Sequence, residues 1–224
     1  MIVRFLFLGV LLTWVSMESL ALITSVVIIH LLAVISPGPD FIVAVKNSLT
    51  YSRVTGLWTA VGFGLGIAVH IVYCAAGLAL VISQSILLFN IIKLLGAAYL
   101  IYLGIGALLS KSSKLEVAAE TAGADLSWQA AVKTGFLTNV LNPKATLFFL
   151  SLFTLVITPG TPIAVLVLVS LLMVLNTILW FSLVAIFMTQ SRIRAAFERH
   201  LNTFNKILGG LLIALGIKVA LLQQ

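Results

Sequence analysis

The sequence predicts an all-α integral membrane protein. Six transmembrane helices form two inverted three-helix repeats, and the first helix of each repeat is broken at a proline. Three observations carry this prediction. The first is composition: of 224 residues, 62% are hydrophobic and 8% charged, and the mean hydropathy is +1.23. A soluble domain is roughly 45–50% apolar and about 25% charged. A chain of this size has no way to hide so much apolar surface from water, so the bilayer is its solvent. The second is the occurrence of six mostly apolar runs, each of about 20 residues or more, separated by short polar stretches. The third is that runs one and four each carry a small polar residue followed by proline, at Ser36-Pro37 and Asn142-Pro143.

In chain order, residues 1–18 hold one arginine and a short apolar run. This resembles the first two regions of a signal peptide, but no small-residue cleavage site follows. Met17 is an alternative start, so 1–18 reads as an extension rather than a seventh helix. The first repeat occupies 19–109, with segments at 20–45, 57–83 and 86–109. Residues 110–129 mix Lys111, Lys114, Glu116, Glu120 and Asp125 and read as a solvated cytoplasmic linker. The second repeat occupies 130–224, with segments at 130–157, 163–188 and 204–222. Between the last two, Ile193, Ala196, Phe197, Leu201 and Phe204 recur at helical spacing among arginines. That pattern predicts an amphipathic helix on the inner surface, held by anionic lipid.

The basic residues orient the chain. Lys46, Arg53, Lys111, Lys114, Lys133, Arg192, Arg194, Arg199 and Lys206 fall in or beside connections on one side, against Arg4, Lys93 and Lys218 on the other. Cytoplasmic loops carry the excess of Lys and Arg, so the nine-residue side is cytoplasmic and both termini are outside. Lys93 is expected to snorkel to the outer surface.

The two breaks carry a mechanism. Ser and Asn are favoured helix N-caps, and proline is favoured at the first helical position. Ser36-Pro37 and Asn142-Pro143 therefore read as helix starts inside hydrophobic segments. Such ends are tolerated in lipid only where they are buried in protein or face a wet cavity. Segments one and four run in opposite directions, so both helix starts would face the middle of the protein. Helix N-termini favour anions, Lys144 adds a full positive charge, and Asp40 is the one acid within the segments. Asp40 would hold either an ammonium group or a coupling proton. An acid and a base beside two helix starts suit a zwitterion. The blander alternative makes residues 36–40 a turn at the cytoplasmic surface, with Asp40 paired to Lys46 or Arg53.

Ala60, Gly64 and Ala68 share a four-residue spacing, as do Gly62 and Gly66, which suits close helix packing. Gly96, Gly104, Gly209 and Gly216 read likewise. His70 is a proton carrier or a histidine hydrogen-bonded to a neighbouring helix, and His30 is read in the same way. Asn139 shares a face with Asn142 only if the break permits it. Asn176 and Thr177 face the cavity or bond between helices.

Several functions are excluded or weakened. The net charge of +7 is scattered between apolar runs, so no nucleic-acid surface forms. Cys74 is the only cysteine, which leaves neither an intrachain disulfide nor a multi-Cys metal site. Gly62, Gly64 and Gly66 follow no strand and are no dinucleotide fingerprint, and no Walker motif is present to use ATP. A divalent-cation or other small-solute exporter is the alternative within transport, though Asp40, His30 and His70 make no obvious metal site. A membrane-embedded enzyme would want paired carboxylates or a nucleophile with its base, and only one intramembrane carboxylate exists.

The stretches "SPGPDF", "GLGIAVHIVYCAAGLAL", "IKLLGAAYLIYLGIGAL" and "GFLTNVLNPKATLFFLSLF" resemble the lysine-exporter (LysE-type) translocator family, including its homoserine/threonine-exporter branch. The resemblance covers about 18–222 in the expected order. It implies a multi-pass protein of the bacterial inner membrane that exports amino acids, driven by the proton gradient. No cofactor or metal is implied. Carried onto this sequence, the family motif falls on Ser36, Pro37, Gly38, Pro39 and Asp40, and on Asn142, Pro143 and Lys144. Asp40 and His70 are the candidates for proton coupling. The expected partners are an amino acid, protons and membrane lipid, and a homo-oligomer is compatible with them. The longer N-terminus departs from the family pattern.

Overall fold

The computed structural model describes residues 17–110, 124–156 and 161–221. Nearly all of the 1–18 extension, most of the 110–129 linker and most of the 158–162 turn lie outside the described residues. Every described element is helical. In chain order these are α1 (Met17–Ile35), α2 (Pro39–Thr50), α3 (Arg53–Gln84), α4 (Ile86–Leu109), α5 (Trp128–Val140), α6 (Pro143–Val156), α7 (Ile163–Phe187) and α8 (Ser191–Leu221).

Both expected breaks are present, and one is displaced. Segment one bends by 59° between α1 and α2, but α2 starts at Pro39, not Pro37. The residue before a proline is disfavoured in the α region. Gly38 is accordingly extended, at φ −169° and ψ −171°, and the helix waits for Pro39. Ser36 therefore caps nothing. The second break follows expectation: Asn142 Oδ1 accepts the Lys144 backbone N–H at 3.0 Å, directly before α6 begins at Pro143.

Four helices are long and apolar enough to cross a membrane (α4, α7, α8 and the first 26 residues of α3), and the bent α1–α2 pair makes up to five. The remaining predicted segment falls on α5 and α6, of 13 and 14 residues, each too short to span alone. α7 displays its surroundings plainly. Ile163, Val167, Leu171, Leu175, Leu179, Leu183 and Phe187 are exposed at four-residue steps, while Val165, Val169, Met173, Thr177 and Phe181 are buried at the same step. One face thus suits lipid and the other the protein interior.

Two expectations change. The amphipathic stretch and segment six are one continuous 31-residue helix, α8. No Pro or Gly interrupts its first half, and Phe197 stacks on Phe41 of α2 at 5.3 Å. Its apolar face therefore meets protein, not only lipid. Lys93 is 6% exposed, so it is buried and does not snorkel to the surface.

Small residues set the helix pairs. α4 and α8 are antiparallel: a Cβ on Gly104 would strike the Gly209 carbonyl, one on Gly209 the Gly104 carbonyl, and one on Gly216 the Ala97 carbonyl. α3 and α5 run parallel, with Gly62 against the α5 backbone around Gly135 and Gly66 against Asn139 four residues further along both helices. The apolar core has two parts. One gathers around Phe148, Phe149 and Leu152 of α6, and the other around Phe41, Phe63 and Phe181. The candidate site draws its walls from both.

Candidate functional site

The site is built where the two broken segments meet. Asp40, in the first turn of α2, accepts two hydrogen bonds from the other half of the chain. Asn139 Nδ2 donates to Oδ2 at 2.7 Å, and Asn142 Nδ2 donates to Oδ1 at 3.2 Å. The α5–α6 break thus turns both asparagines toward one carboxylate. Lys144 reaches the opposite way: its Nζ donates to the Ser36 carbonyl at 3.1 Å. Each broken segment therefore holds the break of the other. The alternative of a surface turn with Asp40 paired to Lys46 or Arg53 is not what forms.

A cavity of about 50 Å³ lies here, lined among others by Ser36, Gly38, Asp40, Asn142 and Lys144. Of the eight residues named from the sequence, these five come together. Pro37 lines a neighbouring cavity instead, while Pro39 and Pro143 serve as the first residues of α2 and α6. The rest of the wall is mostly apolar and includes Phe41, Phe148, Phe149 and Phe181, and Thr177 and His30 also line it. The sequence marked Thr177 and His30 as candidates. It gave no way to separate these phenylalanines from ordinary core residues, since all four are apolar and lie in apolar runs.

The two buried histidines both lie against Phe149. His30 lies 5.5 Å from that ring, and His70 stacks on it at 5.6 Å with an interplanar angle of 3°. His70 does not line the cavity. Its Nε2 lies 3.0 Å from the Asn139 backbone carbonyl, which only accepts, so Nε2 carries the hydrogen and Nδ1 faces the Tyr73 hydroxyl. The hydrogen-bonded route from His70 to Asp40 runs through Asn139. His30 contacts Asn176 Nδ2 at 3.3 Å, and the same amide donates to the Val27 carbonyl. Asn176 is an interhelical bond rather than a cavity residue.

Two polar atoms of cavity residues, His30 Nε2 and Asn139 Oδ1, are buried without a hydrogen-bond partner. Leaving such an atom unpaired costs about 1–3 kcal/mol, and groups of this kind are commonly kept for a ligand or a change of state. Among the described residues no three His, Cys, Asp or Glu side chains converge as a metal site would require.

Apolar helices broken around a half-buried acid and base define a multi-pass membrane protein with the polar interior that transporters carry. The family model described as LysE type translocator matches residues 31–223, and the chain belongs to that family. It is a membrane translocator, not an enzyme. It is 32% identical over 195 residues to the uncharacterized membrane protein YrhP of Bacillus subtilis (strain 168), covering 84% of this chain and 93% of that one. It is 29% identical over 199 residues to the threonine efflux protein of Salmonella typhi, covering 88% and 97%. It is 28% identical over 200 residues to the threonine efflux protein of Escherichia coli (strain K12), again covering 88% and 97%. No solved structure matches the chain.

Proposed function

We propose that the protein is a secondary exporter of amino acids in the bacterial inner membrane, coupled to protons, with six spans in two inverted repeats. One observation carries the reading: Asp40 and Lys144, an acid and a base from the two broken segments, line one cavity. Charged groups at this depth are costly and serve function by default. The threonine efflux proteins among the relatives support the same substrate class.

In this reading Lys144, the start of α6 and the start of α2 read the substrate's carboxylate. Asp40 carries the coupling proton, and His70 is the second candidate for that role. Ser36, Gly38 and Asn142 form the polar wall, with Pro37, Pro39 and Pro143 shaping the two breaks. Pairing between halves supports the repeat. α3 packs on α7 and α4 on α8, which are corresponding helices. The His30–Asn176 contact joins segments one and five, and the His70–Asn139 contact joins segments two and four.

The test is transport by purified protein in liposomes loaded with threonine or with threonine amide. Export of threonine and not of the amide is expected, because only threonine offers a carboxylate. Equal export of both would show that the helix starts and Lys144 do not read it.

A further inference from the structure

Lys144 faces a second space. A larger cavity, of about 260 Å³, lies between α4 and α8, with Ser36 and Lys144 among its lining at one end and Ser110 and Asn205 at the other. Its walls are regular. Tyr102, Leu103, Gly106 and Ala107 line it from α4, with Ser110 just past the helix end, and their three- and four-residue spacings run along one helix face. Asn205 and Leu212, seven residues apart, line it from α8. Seven residues of helix rise about 10 Å, so this is a shaft. It leads from the C-terminal end of α4 down to the first break. At its mouth Asn205 Nδ2 donates to Ser110 Oγ at 3.1 Å.

The ammonium of Lys144 stands at the partition between shaft and inner cavity, because Ser36 and Lys144 line both. An ammonium has three donors. The Ser36 carbonyl takes one of them and is its one acceptor among the described residues. The sizes differ in a way that matters. A water molecule's share of liquid volume is about 30 Å³, so the inner cavity of about 50 Å³ is water-sized and too small for an amino acid. The shaft approaches the lower end of ligand-site volumes, roughly 300 Å³.

We propose that this shaft is a separate first binding site for the substrate's carboxylate, occupied before the Asp40 cavity opens, with Lys144 as the cation that it meets. The proposal rests on the amino-acid export reading. Substrate arriving in the shaft exchanges the Ser36 carbonyl for its own carboxylate at Lys144. The contact that separates the two spaces is thereby released by the ligand itself.

The experiment uses the full chain with Gly106→Cys in a Cys74→Ala background, reconstituted in vesicles. A Cβ at Gly106 meets nothing within 4 Å, so the cysteine fits, and Ala107→Cys on the same face is the second variant. The probe is a charged, membrane-impermeant methanethiosulfonate, which reacts only where water reaches the thiol. Labelling is expected from the side on which Ser110 lies. Threonine at ten times its dissociation constant should slow it about tenfold by simple occupancy, whereas threonine amide should leave it unchanged. Protection should persist with Asp40→Asn added and disappear with Lys144→Gln added. No reaction at either cysteine would mean a lipid-filled groove, and protection that requires Asp40 would mean that the shaft is no separate site. Either result overturns the proposal. Protection is read without transport, so it decides the shaft even if no amino acid is exported. That second failure would sink only the export reading.

Discussion

Asp40 accepts from two amides that belong to the other half of the chain, and this arrangement sets what a substitution there does. In Asp40→Asn an NH2 replaces one oxygen and would face a donor. Asn139 relieves the conflict, since its Oδ1 has no partner and a flip of its amide presents that oxygen to the new NH2. The variant should therefore fold. It should lose proton-driven threonine export while keeping threonine exchange, measured in the same liposomes. Proton-coupled export at the normal rate would take the coupling role away from Asp40 and make His70 the next residue to test. Lys144→Gln should act differently, on binding. A hydrogen bond to a charged group contributes about 1.5–3 kcal/mol, so threonine affinity should fall about ten- to hundredfold, as read by exchange at varied threonine. Unchanged affinity would place the carboxylate elsewhere. Asp40, Asn142 and Lys144 were legible in the sequence because polar residues beside prolines have no business in lipid. The lining by Phe148 and Phe149 was not, because an aromatic that faces a cavity and one that faces the core look alike in sequence.

Among the elements, the glycines act as contact surfaces. At the α4–α8 crossing each of Gly104 and Gly209 lies against the other's backbone carbonyl, and backbone cannot move aside as a side-chain end can. Overpacking a core usually costs about 1–3 kcal/mol. Gly209→Leu should therefore lower the midpoint of thermal unfolding in detergent, and Gly210→Ala should not, since nothing lies within 4 Å of a Cβ there. Equal midpoints would mean that this crossing does not hold the pair together. The packing role of these glycines was readable from their spacing, but their partners were not, because spacing along one helix says nothing about which helix it meets. The breaks show the same limit. Two prolines promised a helix start near residue 37, and the choice of Pro39 came from the constraint that Pro39 places on Gly38. The amphipathic run at 191–206 read as a surface helix, yet Phe197 found Phe41, a contact that no periodicity announces.

At the scale of the whole molecule, the direction of the helices bears on the number of spans. Helix length alone gives up to five, with α5 and α6 too short singly. Packing direction adds an independent argument. α4 and α8 are antiparallel, since Gly104 meets Gly209 while Ala97 meets Gly216. Two spans of opposite direction are separated by an even number of crossings. α7 is one of them, and in the proposed six-span topology the α5–α6 pair supplies the other as a broken span. Were that pair a re-entrant loop, α4 and α8 would cross in the same direction. In that proposal Arg192, Arg194 and Arg199, at the start of α8, lie on the cytoplasmic side, as the positive-inside rule expects. Gln84 and Arg192 are both exposed, and three crossings separate them in this topology. In the Cys74→Ala background, Gln84→Cys should label with an impermeant thiol reagent from outside only, and Arg192→Cys from the cytoplasmic face only. Labelling of both from one side would remove the α5–α6 crossing and with it the six-span repeat. The reverse sidedness would keep the six spans and invert the protein in the membrane.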